Sequence, residues 1–307
     1  MPKQKILIVY YTQSGQIKEI IDNFIHPFIE NPETYELFYH NIEPQPAFPF
    51  PWPSSDFYDA FPEAVTETPV ELNPMDPSLK QKYDLIIMGY QVWYLSPSIP
   101  VSSFLQSKDF QDIAKDTPVF SINGCRNMWY KAYDRLTHYI EKAGGEHNGH
   151  IVLFDKAQNL VSVVTIIYWM STAKKDKYLG FFPKPGIDDD DIEMAERYGQ
   201  ILELAMQKDK LKEVQKEIVK EKGVIVSPHM MSMEKKAKRL FQIWAAFVQK
   251  KGGPKNPKRQ FRVKLFKYYL LFMIYFVSTI AMLLFYLFYP INYSKIKRNI
   301  KHYQGIS

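Results

Sequence analysis

Five strand candidates recur along the first half of the chain, at residues 5–11, 35–41, 84–90, 117–122 and 150–154, with helix-patterned segments between them. No other feature constrains the fold as much. Alternating β and α elements satisfy their apolar surfaces by forming a parallel sheet covered by helices on both faces. The first run, Ile6-Leu7-Ile8-Val9-Tyr10-Tyr11, reads as a fully buried strand. The helix after it carries Ile17, Ile20, Ile21, Phe24, Ile25 and Phe28 on one face, and His26-Pro27 marks its end. A helix with Ser102, Phe104 and Leu105 follows the third strand, and residues 129–143 form another, stopped by Gly144-Gly145. The predicted class is α/β, a five-stranded parallel sheet with helices on both faces and a C-terminal helical extension.

The alternation lapses between the second and third strands. Residues 44–77 include "PQPAFPFPWPSSDFYDAFPEAV", too rich in proline for a full crossover helix. A stiff loop with one short helix near Ser55–Ala64 is expected, with Phe48, Phe50, Trp52 and Phe57 as candidates to line a pocket. After the fifth strand, "NLVSVVTIIYWM" is apolar but too short to span a bilayer. The following "IDDDD" invites a metal reading. Adjacent side chains on a helix fan apart, so helix capping and dipole compensation explain these acids better, and no metal site is expected. Residues 208–222 are mostly charged and read as a solvated helix.

The single cysteine, Cys125, excludes an intramolecular disulfide and a multi-cysteine metal centre. The formal charge of +6 is uneven, with basic residues dominating from Lys235 to Lys301. Within that region residues 268–294 carry no charge, and the first 22 of them reach about 33 Å as a helix, enough to cross a hydrocarbon core. Tyr268 and Tyr269 at one end and Tyr286, Tyr289 and Tyr293 at the other suit interfacial belts. Upstream, "KKAKRLFQIWAAFVQKK" reads as a basic amphipathic helix for an anionic leaflet. Basic residues that bracket lipid-like sequence argue for a membrane surface and against nucleic acid. The more basic N-terminal flank places the preceding domain in the cytoplasm, on the cytoplasmic face of the inner membrane. The alternative is a helix buried in a homodimer or covering an oily cavity. The chain thus divides into residues 1–207, 208–260 and 261–307. The N-terminal run does not read as a signal peptide.

Between the first strand and the first helix stand Thr12, Gln13, Ser14 and Gly15. A helix N-terminus presents unpaired N–H groups and a positive dipole end, hydroxyl side chains add donors, and glycine permits close backbone approach. A capping turn is the plain reading and a phosphate cradle the sharper one. No GxGxxG follows a strand and no GxxxxGK[ST] occurs, which leaves a mononucleotide such as FMN at the switch point of the sheet. The third strand leads into "GYQVWYLSPSIP" and the fourth into "NGCRNMW", both at carboxyl ends beside the first loop. Trp93 or Tyr94 can stack on a flat ring, and Gly124 lets backbone approach its edge. The candidate cofactor-binding residues are Thr12, Gln13, Ser14, Gly15, Gln16, Ile17, Gln91, Val92, Trp93, Tyr94, Asn123, Gly124, Cys125 and Arg126.

TQSG resembles the flavodoxin phosphate loop, T-x-[ST]-G-x-T, with Ile17 in place of the last hydroxyl. "YQVWYLSPSIP" resembles the aromatic flavin loop of flavodoxins and quinone reductases. The combination of "YYTQSGQ", "FPFPWPSSDFYDAFPE", "GYQVWYLSPSIP" and "GCRNMW" is similar to the flavodoxin-like proteins of bacterial dialkylresorcinol biosynthesis, the family known as dialkylresorcinol condensing enzymes. The resemblance implies a flavodoxin-like fold, FMN, and aromatisation of a lipophilic dialkylcyclohexane-1,3-dione made by a partner ketosynthase with an acyl carrier protein. It does not imply condensation by this chain, because Cys125 lacks the histidine pattern of a thiolate nucleophile and reads as a small buried residue. Within the implied reaction Arg126 would face flavin N1 and O2, Gln91 the pyrimidine edge, and Tyr90 and Tyr94 the substrate oxygens. His229 is a candidate base, with a structural role as its alternative. Two other readings stand: a membrane-tethered electron carrier, and a flavin-free scaffold for the ketosynthase, which Ile17 favours.

Overall fold

The computed structural model describes residues 2–306. Five parallel strands form the central sheet: β1 (Gln4–Tyr10), β2 (Tyr35–Asn41), β3 (Leu85–Trp93), β4 (Pro118–Cys125) and β5 (Glu146–Phe154). Their order is β2-β1-β3-β4-β5, the flavodoxin-like arrangement, whose switch point lies between β1 and β3. Ile8 pairs in register with Tyr39 on one side and Ile87 on the other. Strand period two sends Ile6, Ile8 and Tyr10 to one face and Leu7, Val9 and Tyr11 to the other, and each set joins a separate core.

The helices that shape the site and the C-terminal region are α1 (Gln16–Phe24), α2 (Ser54–Asp59), α3 (Phe61–Thr66), α4 (Ile99–Leu105), α5 (Tyr130–Lys142), α6 (Asn159–Thr172), α7 (Ala195–Gln207), α8 (Pro228–Gln249), α9 (Gln260–Phe272), α10 (Ser278–Leu287) and α11 (Tyr289–Tyr303), with further short helices at His26–Glu30, Lys108–Ala114, Asp189–Glu193 and Val214–Lys220. α1 buries Ile17, Ile20, Ile21 and Phe24 against the sheet. α1 ends at Phe24, just before His26-Pro27, as expected. Proline suits a first helical turn, and residues His26–Glu30 form a second short helix. α7 crosses α1 closely at Gly199, where a Cβ would lie 1.8 Å from the Phe24 carbonyl oxygen. The β2–β3 connection has no long crossover helix. It contains a two-stranded ribbon, Pro44–Gln45 with Glu71–Leu72, and two short helices rather than the one expected.

Several local expectations are corrected. Asp188 precedes the helix Asp189–Glu193 without a side-chain capping bond. Asp189 instead meets Lys175 and Lys184, and Asp191 meets Lys156 at 2.6 Å. The solvated helix expected at 208–222 is half-buried. Its Val214 and Ile218 join the core, and Gln215 accepts from the His150 N–H at 2.7 Å. The basic amphipathic helix turns its apolar stripe inward. Met231, Glu234, Lys238, Phe241, Ala245 and Val248 of α8 are buried, the last three in a third core with Tyr58, Phe61, Val263 and Phe266. The boundaries at 207 and 260 therefore do not separate cores. Arg259 is fully buried between Asp59 and Glu63, each at 2.8 Å, and Tyr303 packs back against α5. A π turn at Met273–Val277 interrupts the run from α9 to α10. The stretch Pro257–Leu287 is long and apolar enough to cross a membrane, with a mean hydropathy of 2.3 over its most apolar window, none of which is buried.

Candidate functional site

The carboxyl ends of β1, β3 and β4 open into a cavity of about 460 Å³. Gln13, Ser14, Gln16 and Ile17 come from the first loop and α1, Gln91 to Tyr94 from the end of β3, and Gly124, Cys125 and Arg126 from the end of β4. Eleven of the fourteen sequence-assigned binding residues thus share one wall, in the size range of small-molecule sites.

The first loop is shaped by the two residues that stay out of the wall. Thr12 Oγ1 accepts from the Gly15 N–H at 3.1 Å, which closes the turn. Gly15 has φ of +92°, a conformation that glycine adopts at little cost. The first α1 amides able to bond within the helix are Lys18 and Glu19, both to the Gly15 carbonyl. The Gln16 and Ile17 N–H groups are left as helix-end donors. Ile17 gives the wall a hydrocarbon side chain in place of a hydroxyl and packs against Gly124, where a Cβ would lie 3.2 Å from its Cδ1. Gln16 donates to the Ile187 carbonyl and accepts from the Ile187 N–H, fixing the segment after α6 over the helix end. Gly186, at φ +86°, leaves room for that bond, since a Cβ there would meet Gln16 Oε1 at 2.8 Å.

The second loop is tighter than its sequence suggests. Val92 and Trp93 pair antiparallel with Pro97 and Ser96, so Tyr94 and Leu95 form a two-residue hairpin turn. Their φ values are +48° and +64°, a primed-turn geometry usually given to Asn-Gly. Bulky residues persist there because neighbours hold them. Tyr94 Oη donates to the Phe57 carbonyl at 2.8 Å, and Lys238 Nζ donates to the Leu95 carbonyl at 3.3 Å and to Ser96 Oγ at 2.5 Å. Trp93 sits among Tyr11, Phe48 and Trp52, with Trp52 4.7 Å away between centroids. The Gln91 Oε1 accepts from Trp93 Nε1 at 3.3 Å.

In the third loop Arg126 donates to the carbonyl oxygen and Oδ1 of Asn159, at 3.1 and 2.9 Å. Burial lowers its pKa to about 10 against the opposing pull of Asp155, so it stays cationic near neutrality. Burial pushes the Cys125 thiol up, which suits an inert wall residue. Burial likewise pushes the Tyr94 phenol well up.

Three assignments are overturned. Tyr90 is fully buried in the sheet core and cannot hold a substrate oxygen. Asn123 is fully buried beneath the loop and does not reach the wall. His229 bonds Ser227 Oγ at 3.1 Å and Tyr286 Oη at 3.3 Å, away from the cavity. Of the four aromatics in the proline-rich segment, Trp52 and Phe57 line the cavity, whereas Phe48 packs behind Trp93 and Phe50 against Trp169.

Sequence reasoning missed a whole side of the site. Ile166, Ile167, Trp169, Met170 and Ser171 of α6 form a lid, tied down where the Trp52 N–H donates to the Met170 carbonyl at 2.6 Å. Lys267 and Leu271 of α9 complete the wall with Ser54 and Tyr58 of α2. The apolarity of α6 and its short length were the available signal. Nothing local marked Lys267. Among the described lining residues there is no carboxylate and no imidazole, so the cavity is aromatic, apolar and cationic.

No protein-family model matches the sequence, and no curated protein matches it. Among solved structures, a flavoprotein from Lactobacillus acidophilus in complex with FMN is 19% identical, covering 48% of this chain and 93% of its own, with a TM-score of 0.34. Oxidised flavodoxin 1 from Bacillus cereus is 14% identical over 64% of this chain and 95% of its own, TM-score 0.34. A Fusobacterium nucleatum flavodoxin bound to FMN is 11% identical over 71% and 98%, TM-score 0.28.

Proposed function

We propose that this protein is a membrane-associated, FMN-dependent aromatase that oxidises a lipophilic dialkylcyclohexane-1,3-dione to a dialkylresorcinol. The observation that carries this reading is the joining of an α1 N-terminus, an aromatic hairpin and Arg126 in one cavity without acids. That donor set fits FMN: the Ser14 hydroxyl and the Gln16 and Ile17 N–H groups suit a phosphate, Trp93 and Tyr94 a flat ring, and Arg126 the N1 and O2 edge. Bound FMN supplies a two-electron acceptor for removal of hydride and proton from the ring. Gln91 orients a polar edge through its amide, and α6 and α9 exclude water.

An electron carrier of flavodoxin type would present its flavin edge to partners. The lid of α6 and the wall of α9 speak against that reading, and the cavity's apolar lining favours a substrate. The uncharged exposed helix supports docking on the inner membrane from the cytoplasm, where an oily diketone from a ketosynthase and acyl carrier protein would partition. A homodimer through the same helix is the competing arrangement.

The absorption spectrum of detergent-purified protein tests the cofactor, and anaerobic addition of the dione tests the reaction. Bound flavin that bleaches without added reductant is the expected result. Flavin that is bound but never bleached would favour the carrier, and failure to take up FMN would overturn the proposal.

A further inference from the structure

We infer that Lys267, with Ser54 and Tyr58, forms a binding corner for the ring oxyanion of an amphiphile whose alkyl tail lies along α9 and α6. This deepens the reading of the cavity as an oxidoreductase site and rests on it. Lys267 is borne by the helix that leads into the chargeless stretch, and its half-buried side chain lines the mouth of the cavity beside the exposed Ser54. Nζ donates to Ser54 Oγ at 3.3 Å and lies 5.3 Å from the centroid of the Tyr58 ring. Among the described residues no carboxylate pairs with it. An ammonium over an aromatic ring, beside one hydroxyl and against carbon walls, retains donors for an anion.

The rest of the wall says what else the ligand carries. Leu271 stands one helical turn beyond Lys267 and lines the same cavity. Across from it Ile167 lines the cavity while remaining 42% exposed, which places it at the rim. The outward face of the same helix run carries Tyr268, Phe272 and Phe276, all exposed. A single helix thus presents a cation and a leucine to the cavity and, on the adjoining outward stripe, exposed aromatic rings. That division suits a molecule whose head is a planar oxyanion and whose tail is lipid-like. Cyclic 1,3-diketones fit by general chemistry, because they are vinylogous acids that ionise to enolates near neutral pH, whereas simple ketones stay neutral. Arg126 lies in the flavin-edge loop, so Lys267 is the cation left for the substrate.

Calorimetric titration of the full-length protein in detergent, with and without FMN, tests the corner. The probes are an alkylcyclohexane-1,3-dione and the matching neutral alkylcyclohexanone. Lys267→Met keeps the aliphatic stem, and loss of a charge-assisted bond should weaken the dione about tenfold or more. The cyclohexanone and FMN affinities should not change, and Lys267→Arg should restore most of the dione affinity. Equal dione binding by wild type and Lys267→Met would overturn the inference. A parallel loss of FMN affinity would also overturn it, by assigning Lys267 to the cofactor phosphate. Dione binding that depends on Lys267 in a protein unable to bind FMN would support the corner while removing the flavin reading.

Discussion

Lys238 Nζ and Ser96 Oγ lie 2.5 Å apart although 142 positions separate them in the chain. The bond ties α8 of the C-terminal region to the hairpin that forms one wall of the cavity. Lys238 also donates to the carbonyls of Val65 and Leu95. Burial lowers its pKa to about 8, so the ammonium is held at a cost and still supplies all three acceptors. Replacing it with methionine should keep the packing and orphan those oxygens, at about 1–3 kcal/mol of stability. The positive-φ turn at Tyr94 and Leu95 should then loosen and FMN should bind more weakly. Denaturant titration and flavin fluorescence check both effects. Unchanged flavin affinity would show that the hairpin does not depend on this clamp.

Arg259 is a second long-range tie, fully buried and bonded to Asp59 and Glu63. Arg259→Met leaves two buried carboxylates without their cation, a loss of about 3–5 kcal/mol. In a chain already carrying Asp59→Asn and Glu63→Gln the same change should cost much less. Equal costs in the two backgrounds, measured by urea unfolding, would rule out the ion pair as the cause.

Glu234 gives the pH dependence. Its carboxylate, fully buried on α8, accepts the first two N–H groups of α5, from Tyr130 at 3.2 Å and Lys131 at 2.7 Å. Burial still outweighs those bonds and raises its pKa from 4.5 to about 7. The folded state therefore holds the proton more tightly than the unfolded chain. The resulting stability is complete below about pH 4.5 and is lost as pH rises through about 7. Glu234→Gln has no such loss, so its stability relative to wild type should climb by on the order of 3 kcal/mol across that window. A flat difference across the window would mean that the carboxylate is ionised throughout.

Ser14 and Arg126 separate binding from electronics. Ser14→Trp should block the N–H groups at the start of α1 and abolish FMN uptake. Arg126→Met should leave FMN bound but lower its reduction potential, because the cation favours the reduced anion. Spectroelectrochemistry of the purified variant reads this directly, and an unchanged potential would limit Arg126 to holding Asn159.

Phe276 and Leu283 are each 64% exposed on the uncharged helix run. With glutamate at both positions, the fold should lose no more than about 0.5 kcal/mol, as expected for exposed sites. Wild-type protein should resist extraction by high salt and need detergent, and the double variant should not. A wild-type chain that stays soluble without detergent would mean that another copy, not lipid, covers this helix.

The sequence by itself determined the sheet. Continuous apolar runs such as Ile6 to Tyr11 and the helical stripe from Ile17 to Phe24 are local patterns, and burial on both faces leaves them few other arrangements. It also located the three site loops, because each follows directly on the carboxyl end of a strand, and in the first a glycine at positive φ stands next to a helix start. What it did not carry was which side chains meet across long separations. Tyr90 and Asn123 have the right chemistry and pair in register on the right strands, yet both are completely buried in the fold. Lys267 and Lys238 look like ordinary basic residues in a basic region, and only the folding of α8 and α9 back onto α2, α3 and the hairpin brings one to the mouth of the cavity and the other beneath its wall. The physical reason is that periodicity specifies which face of an element is apolar, while the partner of that face is chosen by packing over the whole chain.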